Sequence, residues 1–254
     1  MHWIPTSLLI VGSILGGCAS DSSRSHPLTV LPVASSETRT QAAGWGHRSW
    51  DEQHQDGARF MQANEVDLLL LGDSITQSFG GGGRQTGQPG AAALAHALPK
   101  MLVSNQGISG DRTQHVLWRL DNGALAQRCP RFVSLMIGTN NLPHDSANDI
   151  ALGIEAIVDW LSSRCPASSI LLHAIPPRGA KATDPMRKKV QHINTRIRAL
   201  ALADNVHWID PWSACLLEDG TINPKVMAGD AVHLNSGGYR LWAETLKASI
   251  ETAH

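Results

Sequence analysis

Short apolar segments alternate with longer amphipathic ones from about residue 50 to the end of the chain. Five of the apolar segments are bounded by polar or turn residues, which is typical of buried strands. They cover residues 66–72, 101–105, 132–138, 169–175 and 206–210. Because helical segments separate these strands, the pattern predicts an α/β fold. We expect a three-layer α/β/α sandwich with a central five-stranded parallel sheet.

The segments between the predicted strands have apolar residues at helical spacing. The clearest case is 146–163, in which Ile150, Ile154 and Leu161 lie on one apolar stripe. The last helix is predicted to begin after an N-cap at Asn235 or Ser236. The predicted helices cover residues 50–64, 113–122, 146–163, 185–203 and 236–252.

The beginning of the chain has a different composition. The apolar run Ser7–Gly17 is too short for a transmembrane helix, which needs about 20 residues, but it suits a signal peptide. It ends at Leu15-Gly16-Gly17-Cys18, which resembles a bacterial lipobox, although Met1–Pro5 contains no Lys or Arg. We therefore expect an exported lipoprotein, periplasmic or at the cell surface, with a signal at 1–18 and lipid on Cys18. An ordinary cleaved signal and an incidental apolar segment remain as alternatives.

Residues 19–44 are rich in Ser, Thr, Ala and Pro, and they are predicted to form a flexible tether. Residues 45–254 are then the folded domain. The net charge of −1 and the absence of a basic stripe argue against a nucleic-acid partner. Membrane association is expected only through the lipid, and the sequence leaves the oligomeric state open.

Apart from Cys18, the chain has three cysteines, Cys129, Cys165 and Cys215. An odd number cannot all pair within one chain, and their spacing does not suggest a metal site. We expect buried free thiols. One disulfide with one free thiol is the alternative, because export implies an oxidising compartment.

Polar, glycine-containing segments follow the first three predicted strands, where parallel sheets carry their chemistry. Ser74 follows the first strand, Gly110 the second and Asn140 the third, while Asp230 and His233 precede the last helix. Together these residues offer a nucleophile, two donors for an oxyanion and an acid–base pair.

Each residue also has a simpler interpretation when it is considered alone. Ser74 could cap a helix, Asp111 beside Gly110 could cap the next helix, and Asn140 could form an Asx-turn. Asp230 and His233 could be a surface pair. The combination of four loops in the expected topological places favours a serine ester hydrolase.

Four ordered segments resemble the SGNH/GDSL hydrolase superfamily. They are Gly72-Asp73-Ser74-Ile75-Thr76, Asn105-Gln106-Gly107-Ile108-Ser109-Gly110-Asp111, Gly138-Thr139-Asn140-Asn141 and Asp230-Ala231-Val232-His233-Leu234. The resemblance extends over about residues 64–252 and implies a flavodoxin-like fold. Residues 107–122 and 175–179 are similar to the branch of platelet-activating-factor acetylhydrolase catalytic subunits. One departure is Asn141, where many members have Asp.

The resemblance implies a role for each residue. Ser74 would be the nucleophile, His233 the base and Asp230 its orienting acceptor. The N–H groups of Ser74 and Gly110 and the side chain of Asn140 would form the oxyanion hole. No metal or organic cofactor is expected. The implied activity is that of a carboxylic ester hydrolase.

The substrate is expected to be a short-chain ester, chiefly acetyl, on carbohydrate. Trp45, Trp50, Trp212 and Trp242 are candidates for sugar stacking, although core packing is expected for most of them. The alternatives are a short-chain lipid ester, an acyltransferase reaction and a non-catalytic glycan-binding lipoprotein. The segment Gly80–Gly83 matches none of the family's motifs, and we interpret it as a flexible rim of the site.

Overall fold

The computed structural model describes residues 26–36, 49–82 and 88–253. Five parallel strands form one sheet in the order β2-β1-β3-β4-β5. The strands are β1 (Leu68–Gly72), β2 (Val103–Gly107), β3 (Phe132–Met136), β4 (Ser169–His173) and β5 (Val206–Ile209). The helices are α1 (Trp50–Ala63), α2 (Ser74–Gln77), α3 (Ala91–Ala97), α4 (Thr113–Asp121), α5 (Ala147–Arg164), α6 (Pro185–Ile197) and α7 (Ser236–Thr252).

Helices cover both faces of the sheet because alternate strand side chains point to opposite sides. Leu69 and Leu71 of β1 pack into a core that contains apolar side chains of α4, α5 and α6. Leu68 and Leu70 pack into a second core that contains side chains of α2, α3 and α7. The predicted three-layer α/β/α architecture with a five-stranded parallel sheet is therefore confirmed.

The strand order determines where a site can form. The chain passes from β1 to β2 on one side and then returns to β3 on the other side of β1. The connections diverge there, so a crevice opens at the carboxyl ends of β1 and β3. In the register, Gly72 at the end of β1 lies beside Gly107 of β2 and Met136 of β3.

Two short helices were not predicted. With four residues, α2 is too short to have a helical period, and α3 is an alanine-rich segment in which only Leu94 and Ala97 are buried. The helix predicted over 185–203 ends at Ile197 and continues as a 3₁₀ segment, Arg198–Leu202. The N-cap of α7 is Asn235, whose side chain accepts hydrogen bonds from two backbone N–H groups.

Part of the predicted tether is packed against the domain. Residues Leu28–Val30 form a 3₁₀ turn, and Thr29 is fully buried. The Thr29 hydroxyl donates to the Asp149 carbonyl at 2.7 Å, and the Thr29 carbonyl accepts from Thr113 Oγ1 at 2.9 Å. Residues 19–25 and 37–44 of the tether, the signal segment and Cys18 lie outside the described residues. Among those described, no helix has the length and apolarity needed to cross a membrane.

The expectation of three free thiols is wrong for two of them. Cys129, just before β3, and Cys165, at the end of α5, form a disulfide with their Cα atoms 5.4 Å apart. Cys215 is a buried free thiol whose pKa is raised to about 12, chiefly by burial. The sequence left this pairing open because it depends on how α5 returns to the start of β3.

The glycine segment also differs from its prediction. Gly82 donates its N–H to the Val103 carbonyl at 2.9 Å and forms a parallel bridge with Ser104. Gly80 and Gly81 have φ of 80° and 108°, which favour glycine. Gly82 is therefore hydrogen-bonded along the edge strand β2, while Gly83 lies outside the described residues.

Candidate active site

Ser74 is the first residue of α2, directly after the turn that ends β1. Asp73, not Ser74, is the N-cap, since its Oδ1 accepts the N–H of Ile75 at 3.0 Å. A Cβ atom at Gly72 would lie 2.2 Å from the Met136 carbonyl oxygen, so the turn requires glycine. The cap interpretation of Ser74 is therefore wrong, and its hydroxyl is available for another partner.

That partner is His233, which is 159 positions away in the sequence. Ser74 Oγ lies 2.8 Å from His233 Nε2, and His233 Nδ1 lies 2.5 Å from Asp230 Oδ2. The structure thus brings the three predicted residues into one hydrogen-bonded chain. A hydroxyl, an imidazole and a carboxylate in this order can activate the hydroxyl as a nucleophile.

The Asp230 carboxylate both orients the imidazole and shapes its own loop. Its Oδ1 accepts the N–H groups of Val232 and His233, each at 3.0 Å. Partial burial acts to raise the pKa of Asp230, but these hydrogen bonds and the charge of His233 outweigh it and lower the pKa below its ordinary value. The carboxylate therefore stays ionised and can hold the Nδ1 proton of His233.

The oxyanion candidates lie at the carboxyl ends of β1, β2 and β3. Gly110 has φ of 85°, and the amide of Asn140 donates to the Asp111 carbonyl at 3.0 Å. An amide nitrogen carries two hydrogens, so Asn140 keeps one for a ligand. Within the part of the chain that is described, neither the Ser74 nor the Gly110 N–H donates a hydrogen bond.

Beneath this loop lies a buried ion pair that sequence reasoning missed. Asp111 and Arg119 are both 0% exposed, and Arg119 Nη2 lies 2.7 Å from Asp111 Oδ2. The other carboxylate oxygen accepts from Trp50 Nε1 at 2.7 Å. Asp111 does not cap α4, because Asn141 Oδ1 accepts the first N–H of that helix, from Thr113. A signal for Arg119 was present, since it shares a helical face with Val116 and Leu120.

The acidic residue beside Ser74 has an unusual environment. Asp73 is 1% exposed, and its burial raises its pKa to about 7, while the Ile75 N–H and the charges of His233 and Arg178 partly oppose this. Tyr239 of α7 donates its hydroxyl hydrogen to the Ile75 carbonyl at 2.7 Å. Asp73 is therefore enclosed, and the first turn of α2 is tied to α7.

The tryptophans proposed for sugar stacking are in the core. Trp50 is 5% exposed, Trp212 is 3% exposed and Trp242 is 0% exposed. Trp212 donates its indole hydrogen to the Ala174 carbonyl, and Trp242 stacks on Phe79. These three residues have structural contacts, and Trp45 lies outside the described residues.

The sequence profile of the GDSL-like lipase/acylhydrolase family matches residues 70–241, which contain all the residues of this site. The human platelet-activating factor acetylhydrolase IB subunit alpha2 is 35% identical over 197 residues, covering 76% of this chain and 80% of the human protein. The chain belongs to the GDSL-like lipase/acylhydrolase family. It is accordingly an enzyme of the carboxylic ester hydrolase class.

Two solved structures share the fold of this chain. A GDSL-like lipase from Bacteroides thetaiotaomicron has a TM-score of 0.64 and 19% identity, covering 79% of this chain and 98% of that chain. An acetyl-xylooligosaccharide esterase from Geobacillus Stearmophilus has a TM-score of 0.59 and 24% identity, covering 73% and 94%. This family hydrolase therefore has the flavodoxin-like fold that the sequence resemblance implied.

Proposed function

We propose that this hydrolase is a serine esterase that removes short acyl groups, chiefly acetyl, through an acyl-enzyme on Ser74. The observation that carries the proposal is the hydrogen-bonded chain from Ser74 through His233 to Asp230. The donors at the ends of β2 and β3 support it, because acyl transfer requires stabilisation of an oxyanion.

In the proposed reaction, Ser74 Oγ attacks the ester carbonyl while its proton moves to His233 Nε2. Asp230 stabilises the imidazolium through Nδ1. The N–H groups of Ser74 and Gly110 and the free amide hydrogen of Asn140 bind the oxyanion. His233 then protonates the departing alcohol, and it later activates the water that releases the acid from Ser74.

The test of this proposal is Ser74→Ala, assayed with p-nitrophenyl acetate and with a fluorophosphonate that labels nucleophilic serines. We expect loss of turnover and of labelling, with an unchanged melting temperature. Ser163→Ala, an exposed serine on α5, is the control and should keep both signals. Turnover by Ser74→Ala at the wild-type rate would refute the nucleophile assignment.

For the alcohol part of the substrate, we propose carbohydrate. Support comes from the shared fold of the acetyl-xylooligosaccharide esterase and from the expected export of this chain. A short-chain lipid ester is the second candidate, because the mammalian relatives at 35% identity are named platelet-activating factor acetylhydrolases. Acetate release from acetylated xylan and from a 2-acetyl glycerophospholipid, measured side by side, would separate the two. Adding an alcohol acceptor and analysing the products would reveal acyl transfer.

We also propose that the protein is exported and anchored through lipid on Cys18. The disulfide between Cys129 and Cys165 supports export, since such bonds persist in oxidising compartments. Cys18→Ser should move the protein from the membrane fraction to the soluble fraction and should abolish labelling with a fatty-acid probe. Retention of the variant in the membrane fraction would contradict the anchor.

A further inference from the structure

Arg178 lies at the carboxyl edge of the sheet, in the segment that follows β4. Its Nη1 donates to the Thr139 carbonyl at 2.6 Å and lies 3.4 Å from Thr139 Oγ1. Thr139 directly precedes Asn140, the candidate oxyanion donor. The guanidinium is therefore located beside the loop that carries the candidate oxyanion hole.

The backbone at Arg178 is held between two loops of the site. Gly179 donates its N–H to the Ala231 carbonyl at 3.1 Å, and Ala231 lies between Asp230 and His233. From the other side, Arg187, which is 5% exposed, donates to the carbonyls of Arg178 at 3.1 Å and Gly179 at 2.7 Å. Because the backbone at Arg178 is held in this way, its side chain should lose little conformational entropy when it binds a ligand.

The charge of Arg178 is not neutralised by an acidic neighbour. Among residues 26–36, 49–82 and 88–253, no carboxylate lies within ion-pair distance of it. The side chain is partly exposed. Its field reaches the Ser74 turn, since Arg178 is one of the charges that lower the pKa of Asp73 against the effect of burial. One edge of the guanidinium binds Thr139, and the remaining N–H groups can still donate.

We propose that Arg178 forms a subsite for an anionic group carried by the substrate next to the scissile ester. A guanidinium offers a planar set of donors that fits a carboxylate or a phosphate. Both proposed substrate classes can supply such a group, as a uronate carboxylate in an acidic polysaccharide or as the phosphate of a glycerophospholipid. The subsite rests on the proposed esterase function and adds a charge preference to it.

The test compares two esters of the same shape, 4-acetoxybenzoate, which is anionic, and methyl 4-acetoxybenzoate, which is neutral. The measured quantity is the ratio of kcat/KM for the anionic ester to that for the neutral ester. Both values come from the same preparation, so the ratio is independent of the folded fraction. We expect Arg178→Gln to lower this ratio about tenfold, mainly through KM, because a charge-assisted hydrogen bond is lost.

Two variants complete the comparison. Arg178→Lys keeps the charge and should lower the ratio less than Arg178→Gln does. Arg198→Gln removes the same charge at an exposed position just after α6 and should leave the ratio at the wild-type value. An unchanged ratio in Arg178→Gln, whether both esters slow equally or neither slows, would overturn the subsite. Failure of the wild type to hydrolyse either ester would instead contradict the esterase function itself, and the subsite with it.

Natural substrates then identify the source of the anion. One pair is acetylated glucuronoxylan and the same polymer with its carboxyl groups reduced to alcohols. The other pair is a 2-acetyl glycerophospholipid and the corresponding 2-acetylglycerol without phosphate. A preference that requires Arg178 in the polymer pair assigns a carboxylate, and one in the lipid pair assigns a phosphate. If neither pair shows a preference for the anionic member that requires Arg178, the proposed subsite is overturned.

Discussion

Arg119 and Asp111 form an ion pair, 2.7 Å from nitrogen to oxygen, that links the ends of two strands beneath the site. Arg119 also donates to the Gln106 carbonyl at 2.8 Å and lies 3.4 Å from the Gly72 carbonyl. Gly72 is two residues before Ser74, and Asp111 directly follows Gly110. The pair therefore connects the Ser74 turn to the Gly110 loop through side chains that are fully buried.

We predict that Asp111→Asn lowers both stability and kcat. An unpaired buried charge on Arg119 should cost about 3–5 kcal/mol, and the loosened loop should misplace Gly110 and Asn140. Urea unfolding and steady-state kinetics on p-nitrophenyl acetate measure the two effects. In a double-mutant cycle, the double variant Asp111→Asn/Arg119→Met should be more stable than Asp111→Asn alone. Additive effects would show that the two residues act independently.

Asn140 and its neighbour Asn141 should have opposite phenotypes. Asn140→Ala removes a proposed oxyanion donor and should lower kcat by about 10²–10³, with little change in melting temperature. Asn141 is 0% exposed and hydrogen-bonds Thr113, Gln114 and Asp145. Asn141→Ala should therefore lower the melting temperature more and kcat less than Asn140→Ala. A wild-type kcat in Asn140→Ala would exclude that side chain from the oxyanion hole.

Asp73 should make the protein less stable as the pH rises. Burial raises its folded-state pKa to about 7 from an unfolded value of 3.8. Between these values the folded state holds a proton that the unfolded state has lost, so this residue decreases stability from about pH 4 to about pH 7. The slope reaches about 1.4 kcal/mol per pH unit.

The measurement is urea unfolding of wild type and Asp73→Asn across this pH range. Asparagine can still accept the Ile75 N–H as an N-cap. The variant should gain stability relative to wild type as the pH rises, and the difference should level off above pH 7. Parallel stability curves would contradict the raised pKa. Other titrating groups, such as the buried His173, are common to both proteins and cancel in the difference.

The disulfide should affect stability without affecting turnover. It closes a segment with a sequence separation of 36, for which the chain-entropy model gives about 4 kcal/mol. Cys129 and Cys165 lie before β3 and β4, at the edge of the sheet away from Ser74. The double variant Cys129→Ser/Cys165→Ser should have a melting temperature roughly 10 °C below that of wild type, with a similar kcat at 25 °C. A reductant should lower the melting temperature of wild type but not of the double variant.

The strands and long helices were predictable because each has a local hydrophobic period or a buried apolar run. All five predicted strands are present, and their ends differ by a few residues at most. Helix α2 was not predictable in this way, since four residues contain barely one turn. The ion pair of Asp111 and Arg119 was not predicted, because a charged residue is almost never fully buried without a partner and the local pattern does not show that partner.

The fold class and the residue types of the candidate site follow from the sequence, because both depend on local patterns and on ordered motifs. The three-dimensional fold was needed to show that Ser74 meets His233 across 159 positions, and that Cys129 pairs with Cys165 and not with Cys215. It also decided that Trp50, Trp212 and Trp242 are buried. These relationships depend on strand order and on the loops that bring distant segments together, which no local period records.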